Sequence, residues 1–150
     1  MYSVRKKFKL DYAHRLHLMP AGHKCRNLHG HTGIFEVKIQ VQELDEIGFV
    51  SDFGELKGIK KWIDEHLDHA TIQASTDTNL QKVTQVLKTK TYTMPLDYPQ
   101  TTSECLCHLL QEKITNEIMP EFFKDRLGWV YVAFYETSDN CAEFDKPLEK

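Results

Sequence analysis

The sequence lacks the features of a membrane protein or a secreted disulfide scaffold. Its 150 residues hold no apolar run of the roughly 20 residues that a bilayer span requires. The opening stretch MYSVRKKFKL has no apolar core of a signal peptide. Four cysteines, at positions 25, 105, 107 and 141, form no CxxC pair. We therefore expect reduced thiols, a cytoplasmic protein and no membrane partner.

An excess of positive charge is also missing. Lysine and arginine number 19 against 22 acidic residues, which gives a net charge of -3. Because nucleic-acid binders concentrate lysine and arginine on one face, we expect no nucleic-acid partner. The chain is instead rich in histidine, with eight residues of this type. Its length and its 41% hydrophobic content suit a single globular domain over residues 1–150.

The spacing of apolar residues predicts an α+β fold. Alternation predicts strands at 3–14, 29–43, 128–136 and about 141–144, and three- and four-residue spacing predicts helices at 53–67, 78–88 and 102–118. The order β-β-α-α-β-β indicates a four-stranded antiparallel sheet with two helices on one face, and residues 74–100 are interpreted as a variable insertion. Asp52 with Glu55, and Thr101 with Glu104, have the spacing of helix capping boxes, and Pro120 is expected to end the last helix.

Three histidines have the spacing of a metal site. His29 and His31 are two residues apart, so on a strand their side chains share one face. His14 ends the first predicted strand on its apolar face, and a hairpin of the two strands places it beside the other two. Three histidines without a fourth protein ligand leave one coordination position open, which is typical of catalytic zinc. We predict a zinc ion (Zn2+) on His14, His29 and His31, although this ligand set also suits nickel, iron or cobalt.

Cys25 lies four residues before His29 and is flanked by Lys24 and Arg26. Cationic neighbours favour the thiolate, which is the reactive form of cysteine. The residues alone leave two roles equally open. Cys25 is either a base that acts on a bound substrate, or a fourth ligand that closes the metal site into a structural one.

Seven short motifs follow one another along the chain, and as an ordered set they are more specific than any one of them alone. They are YAHRL at 12–16, GHKC at 22–25, LHGH at 28–31, GFVSDF at 48–53, LDH at 67–69, TSE at 102–104 and YET at 135–137. Together they resemble the 6-pyruvoyl-tetrahydropterin synthase superfamily over nearly the whole chain. The three-residue gap between Cys25 and His29 is similar to that of the 6-carboxy-5,6,7,8-tetrahydropterin synthase branch, which serves queuosine biosynthesis.

The resemblance implies a fold, an assembly and a reaction. The fold would be the tunnelling fold (T-fold), whose sheets join into a barrel through oligomerisation. A homohexamer of two trimers is the usual form, with active sites at subunit interfaces. The reaction would be the zinc-dependent lyase conversion of 7,8-dihydroneopterin triphosphate to 6-carboxy-5,6,7,8-tetrahydropterin, with release of acetaldehyde and triphosphate.

The resemblance also implies roles for individual residues. Cys25, Asp68 and His69 would be catalytic, with Cys25 as base and the other two as its acid/base partner. Glu136 would anchor the pterin ring through two parallel hydrogen bonds. Glu104 and Thr102 are secondary substrate-binding candidates, because a capping box also accounts for Glu104. By their charge alone, Lys24, Arg15 and Arg26 are candidates for the triphosphate.

Three departures from the family pattern keep other functions open. Residues 70–73 read ATIQ where the family often has Leu-Asn at the end, residues 74–100 are longer, and Cys105 stands where asparagine often follows the glutamate. Triphosphate elimination of the 6-pyruvoyl type is one alternative, and conversion of another purine- or pterin-like ring is a second. A non-enzymatic, zinc-stabilised binding module is the third.

Overall fold

The computed structural model describes residues 1–124, 126 and 128–147. The strands of this part of the chain are β1 (Tyr2–His14), β2 (His29–Val41), β3 (Ala70–Gln73), β4 (Thr91–Thr93), β5 (Gly128–Tyr135) and β6 (Cys141–Pro147). Its α-helices are α1 (Lys57–His66), α2 (Thr78–Leu87), α3 (Ser103–Lys113) and α4 (Pro120–Lys124). Over the described residues, no helix has both the length and the apolar content needed to cross a bilayer.

All six strands form one sheet in the order β4-β3-β1-β2-β5-β6. β1, β2, β5 and β6 pair antiparallel, as the sequence predicts, whereas β3 pairs parallel to β1 and β4 pairs parallel to β3. The α+β class is confirmed, but the predicted count of four strands is wrong. Strands of four and three residues are too short for an alternating pattern to reveal them.

The core lies between one face of this sheet and the helices. β1 contributes its even-numbered positions Phe8, Leu10 and Tyr12, and β5 contributes Val130, Val132 and Phe134. Helix α1 contacts β1, and α3 lies against β5 and β6. The predicted apolar faces therefore point into a shared interior.

A close contact in this core depends on a glycine in β2. A Cβ atom on Gly33 would lie only 2.7 Å from Cε2 of Phe134, which is 0% exposed. The ring of Phe134 therefore occupies the space that any other residue at position 33 would need for its side chain.

The first predicted helix begins four residues late. Asp52 accepts a hydrogen bond from the Gly54 amide at 2.9 Å, and the Ser51 hydroxyl donates to Glu55 at 2.5 Å. The capping box of Asp52 with Glu55 is therefore wrong, and α1 begins at Lys57. A local turn made by the aspartate side chain competes with helix formation here, and a glycine in the first turn weakens the helix further.

The last long helix also differs at both ends. Thr102 is its N-cap and accepts a hydrogen bond from the Cys105 amide at 3.2 Å, so the predicted box of Thr101 with Glu104 is wrong. After Lys113 the chain continues as a wider π-helical turn over Ile114–Ile118. Pro120 begins α4 instead of ending a helix, because proline suits the first position of a helix.

Candidate metal and substrate site

The hairpin of β1 and β2 brings the three predicted histidines together. His14 lies directly opposite His29 in the antiparallel register, and Tyr12 lies opposite His31. The ring centroids of the three histidines are 4.8 to 5.2 Å apart. One possible ligand atom from each lies within 4.8 Å of those of the other two. The register of two strands thus creates the cluster from residues 15 and 17 positions apart in sequence.

Hydrogen bonds hold two of these rings from behind. His14 Nδ1 lies 2.9 Å from the Thr101 carbonyl oxygen, and His29 Nδ1 lies 2.6 Å from the Asn27 carbonyl oxygen. Because a carbonyl oxygen only accepts, each Nδ1 carries the proton and donates it. The Nε2 atoms are then left unprotonated, as a metal ligand requires.

The histidines fit a zinc ion because their inner nitrogen atoms lack partners. Nε2 of His14 and Nε2 of His31 are buried, and neither has a hydrogen-bond partner among the described residues. A buried polar atom without a partner is costly, and a bound cation would supply the missing interaction. Burial lowers the pKa of His31, although the charge of Glu136 acts in the opposite direction. The lowered pKa favours the neutral form of His31, which is the form that binds a metal.

Glu136 follows the last residue of β5 and reaches the same cluster. Its Oε1 lies 3.4 Å from Nε2 of His14 and 3.4 Å from Nε2 of His31. The ordinary pKa of a glutamate, about 4.3, lies far below neutral, so this group is a carboxylate at neutral pH. Its position beside the histidines suits the predicted anchor of the pterin ring, because a carboxylate can accept two parallel hydrogen bonds.

A cavity of about 370 Å³ lies beside Glu136. Its walls also include Thr102 and Glu104, the two secondary substrate-binding candidates. Five lining residues were not predicted as site residues from the sequence: Leu16, Ser103, Asn140, Cys141 and Ala142. Leu16 and Ala142 carry no chemical signal, and Cys141 comes to this wall only because β6 pairs with β5.

Cys25 lies in a short 3-10 turn, Lys24–Arg26, between β1 and β2. Two hydrogen bonds of the Cys25 backbone fix the turn: its amide donates to the His23 side chain at Nδ1, and its carbonyl accepts from the Leu16 amide at 2.8 Å. The Cys25 thiol does not belong to the group of converging ligand atoms found among the described residues. This geometry favours the open three-histidine site over a closed site with Cys25 as fourth ligand.

Asp68 and His69 bond to each other across adjacent positions. His69 Nδ1 lies 2.9 Å from Asp68 Oδ2, and the bend that permits this contact places His69 at a φ of 58°. The Asp11 amide donates to Asp68 Oδ1 at 2.9 Å, and the His69 amide donates to the Asp11 carbonyl. Burial alone would raise the pKa of Asp68, but these bonds lower it below its ordinary value.

The Asp68–His69 pair is separate from the three histidines within one chain. It clusters with Asp11 instead, and the His69 side chain is 74% exposed. The structure thus brings His14, His29, His31 and Glu136 together, and it places Cys25 and the Asp68–His69 pair outside that group.

The Arg15 guanidinium forms an ion pair with Asp77 and is therefore not a free cation for a triphosphate. Its Nε and Nη2 atoms donate to the two carboxylate oxygens of Asp77 at 2.7 and 2.5 Å, and Asp77 is 2% exposed. The Arg26 guanidinium donates to the Met19 carbonyl at 3.1 Å. Charge alone therefore overestimated the number of free cations near the site.

The sheet order, helices α1 and α3 against the sheet, and the histidine cluster define an α+β T-fold protein with a metal-type site beside a cavity. Two solved structures share the fold. An uncharacterized protein from Wolinella succinogenes has a TM-score of 0.77 at 24% identity and covers 96% of this chain and 97% of its own. A 6-pyruvoyl tetrahydropterin synthase from Plasmodium vivax has a TM-score of 0.74 at 16% identity and covers 99% and 100%.

The chain belongs to the 6-pyruvoyl tetrahydropterin synthase family, whose model matches residues 3–147. A 6-carboxy-5,6,7,8-tetrahydropterin synthase from Rickettsia felis is 34% identical over 146 aligned positions, and the match covers 94% of this chain and 97% of the relative. Another of that name, from Haemophilus influenzae, is 30% identical over 156 aligned positions and covers 97% and 100%. The resemblance seen in the ordered motifs is thereby confirmed.

Proposed function

We propose that this protein converts 7,8-dihydroneopterin triphosphate to 6-carboxy-5,6,7,8-tetrahydropterin, with release of acetaldehyde and triphosphate, in the cytoplasmic pathway to queuosine. The observation that carries the proposal is the convergence of three histidines, two of them with buried and unpartnered Nε2 atoms, beside Glu136 and a cavity. The names of the relatives described above support the choice of reaction.

His14, His29 and His31 would hold the zinc ion. Bound there, zinc would act as a Lewis acid on oxygens of the substrate side chain. Two of the three rings are already oriented by hydrogen bonds from behind, so little ordering remains to be done on binding.

Glu136 would bind the pterin ring. A carboxylate accepts two parallel hydrogen bonds from a ring N–H and the adjacent amino group, which fixes the plane of the ring. Thr102 and Glu104 lie on the same cavity wall and would contact the same ligand. The volume of about 370 Å³ falls within the range of small-molecule sites.

Cys25 and His69 would move the protons. The Cys25 thiolate would take a proton from a side-chain carbon of the substrate. In the Asp68–His69 pair, Asp68 accepts the Nδ1 proton and thereby leaves His69 Nε2 free to accept and return a proton. Both catalytic groups would therefore act at the side chain of the substrate, while Glu136 holds its ring.

The assay is incubation of the zinc-loaded protein with dihydroneopterin triphosphate, with acetaldehyde and the carboxypterin as measured products. Formation of a 6-pyruvoyl product without acetaldehyde would instead establish triphosphate elimination. A protein that binds zinc and stays folded but turns over neither this substrate nor 6-pyruvoyltetrahydropterin would be a binding module, and the proposed reaction would be wrong.

Matched variants assign the roles. We expect Cys25→Ala and His69→Gln to lower kcat by about 10²- to 10⁴-fold, the usual contribution of a general acid or base. Cys105→Ala and His66→Gln are the controls, since both residues lie outside the proposed machinery. Glu136→Gln should raise KM for the pterin, whereas Glu143→Gln, whose carboxylate accepts from Tyr131, should not.

We further propose that the protein is a homo-oligomer, a hexamer of two trimers, in which Asp68 and His69 of one chain complete the site of another. The 74% exposure of His69 in the single chain supports this arrangement. Mixing and refolding inactive Cys25→Ala and His69→Gln chains should then restore part of the activity. Failure of the mixture to recover activity, with oligomers re-formed, would place all catalytic groups of each site in a single chain.

A further inference from the structure

The segment that precedes α3 packs against the end of β1 and forms hydrogen bonds with it. Thr101 is 0% exposed, and it lies against His14, which is 1% exposed. The Thr101 hydroxyl donates to the Arg15 carbonyl at 3.4 Å, and the Gln100 side chain accepts from the Leu18 amide at 3.0 Å. Three contacts thus connect this segment to the chain around His14.

Both polar atoms of Thr101 face the same ring nitrogen. His14 Nδ1 lies 2.9 Å from the Thr101 carbonyl oxygen and 3.0 Å from its hydroxyl oxygen. The carbonyl cannot donate, and the hydroxyl has the Arg15 carbonyl as an acceptor at 3.4 Å. The carbonyl oxygen can bond to Nδ1 only when Nδ1 is protonated, and the hydroxyl oxygen can then accept from the same proton.

The opposite tautomer would be unfavourable. With the proton on Nε2, the Nδ1 lone pair would face the lone pairs of the Thr101 carbonyl oxygen at 2.9 Å, and His14 is only 1% exposed. The Nε2 proton could then bond to Glu136 Oε1, 3.4 Å away, so the contacts of Nδ1 carry the difference between the two tautomers. Burial makes this conflict expensive, since Nδ1 cannot turn to solvent.

We propose that Thr101 is the positioning residue of His14: its carbonyl and hydroxyl together fix the tautomer and the ring plane that a metal ion requires. The inference rests on the proposed function, in which His14 is a zinc ligand. Thr101 directly precedes Thr102, which caps α3 and lines the cavity. The same two residues therefore connect the orientation of the metal ligand to the wall of the substrate cavity.

The test compares three threonine variants by zinc affinity, measured by competition with a chromogenic chelator. Thr101→Val removes the hydroxyl and keeps the shape and the carbonyl, and Thr101→Ser restores the hydroxyl. Thr84→Val is the control, because the Thr84 hydroxyl is also buried and donates to Gln73 on the α2 side of the fold. We expect Thr101→Val to weaken zinc binding about tenfold, the lower end for such outer partners because the carbonyl bond remains.

Thr101→Ser should bind zinc with an affinity within about twofold of that of the wild type. Thr84→Val should bind zinc with unchanged affinity, even if it destabilises the fold as much as Thr101→Val does. Equal affinity of the two valine variants would overturn the role of the hydroxyl. A second measurement needs no metal: long-range ¹H–¹⁵N spectra above the usual histidine pKa of about 6.5 should show the His14 proton on Nδ1. A proton on Nε2 would overturn the inference, whereas a wild type with this tautomer and no zinc affinity would overturn only the proposed function.

Discussion

Replacing Arg15 with methionine removes the cation that compensates the buried carboxylate of Asp77. Asp77 is 2% exposed, whereas the Arg15 side chain is 23% exposed. Methionine keeps most of the length and apolar surface of arginine, so the change removes mainly the charge and two hydrogen bonds. Asp77 also caps α2 by accepting from the Leu80 amide at 3.2 Å, a bond that remains.

The size of the effect follows from this burial. Removal of one partner of a buried ion pair costs about 3–5 kcal/mol. Because Arg15 is partly exposed and the bond to Leu80 remains, water and the amide recover part of the loss. We expect Arg15→Met to lower the free energy of unfolding by about 2–3 kcal/mol, measured by urea denaturation at neutral pH.

The loss should depend on pH. Burial alone would raise the pKa of Asp77, but the bonds and charge of Arg15 lower it below its ordinary value. A carboxyl with a lowered folded pKa stabilises the protein above its unfolded pKa of about 3.9, and that contribution disappears as pH falls through the folded value. The difference between wild type and Arg15→Met should therefore be full at neutral pH and shrink under acidic conditions.

A double-mutant cycle with Asp77→Asn tests the coupling, since asparagine is also a good N-cap. The double variant should be less destabilised than the two single effects combined. Lys60→Met is the control, because the pair of Lys60 with Asp64 is exposed and worth about 0.5 kcal/mol or less. If Arg15→Met costs no more than this control, or if the two effects simply add, the assignment of Arg15 to Asp77 is refuted.

Three further predictions concern the core, the strained bend and the metal. Gly33→Ala should cost about 1–3 kcal/mol in urea denaturation, because Phe134 occupies the place of the new methyl group, and a neutral result would contradict the tight contact. His69→Gly should be about 1 kcal/mol more stable than His69→Ala, because a φ of 58° suits glycine, and equal stabilities would mean that the bend is not strained. Zinc at about 100 times its Kd should stabilise the folded protein by about 2.7 kcal/mol in a thermal melt, and a chelator should reverse the shift. His14→Ala should abolish this zinc-dependent shift, and persistence of the shift would place the metal elsewhere.

Much of the site was predictable because strand geometry is local. The spacing of His29 and His31 sets their common face, and the apolar alternation of residues 4–14 sets the face of His14. Their pairing then needs only a hairpin. The position of Glu136 at the end of an apolar strand was predictable from the sequence. Its role in binding the pterin came instead from the resemblance of the YET segment to a family.

The tertiary structure decided what distant segments do to one another. Arg15 has charge enough for a triphosphate, yet Asp77, 62 positions away, takes its guanidinium. Thr101 has the spacing of a helix cap, yet it turns to His14, 87 positions away, and leaves the cap to Thr102. Such partners lie far apart in sequence, and no local periodicity encodes them.

The amino-acid sequence by itself therefore determined that the three histidines share one face of the sheet, because side chains alternate with a period of two residues along paired strands. Only the tertiary structure decided how the rings are held, which cations are committed and which walls enclose the cavity. The physical reason is that hydrogen bonds and ion pairs of buried groups depend on which segments the packed core brings within 3 Å of each other.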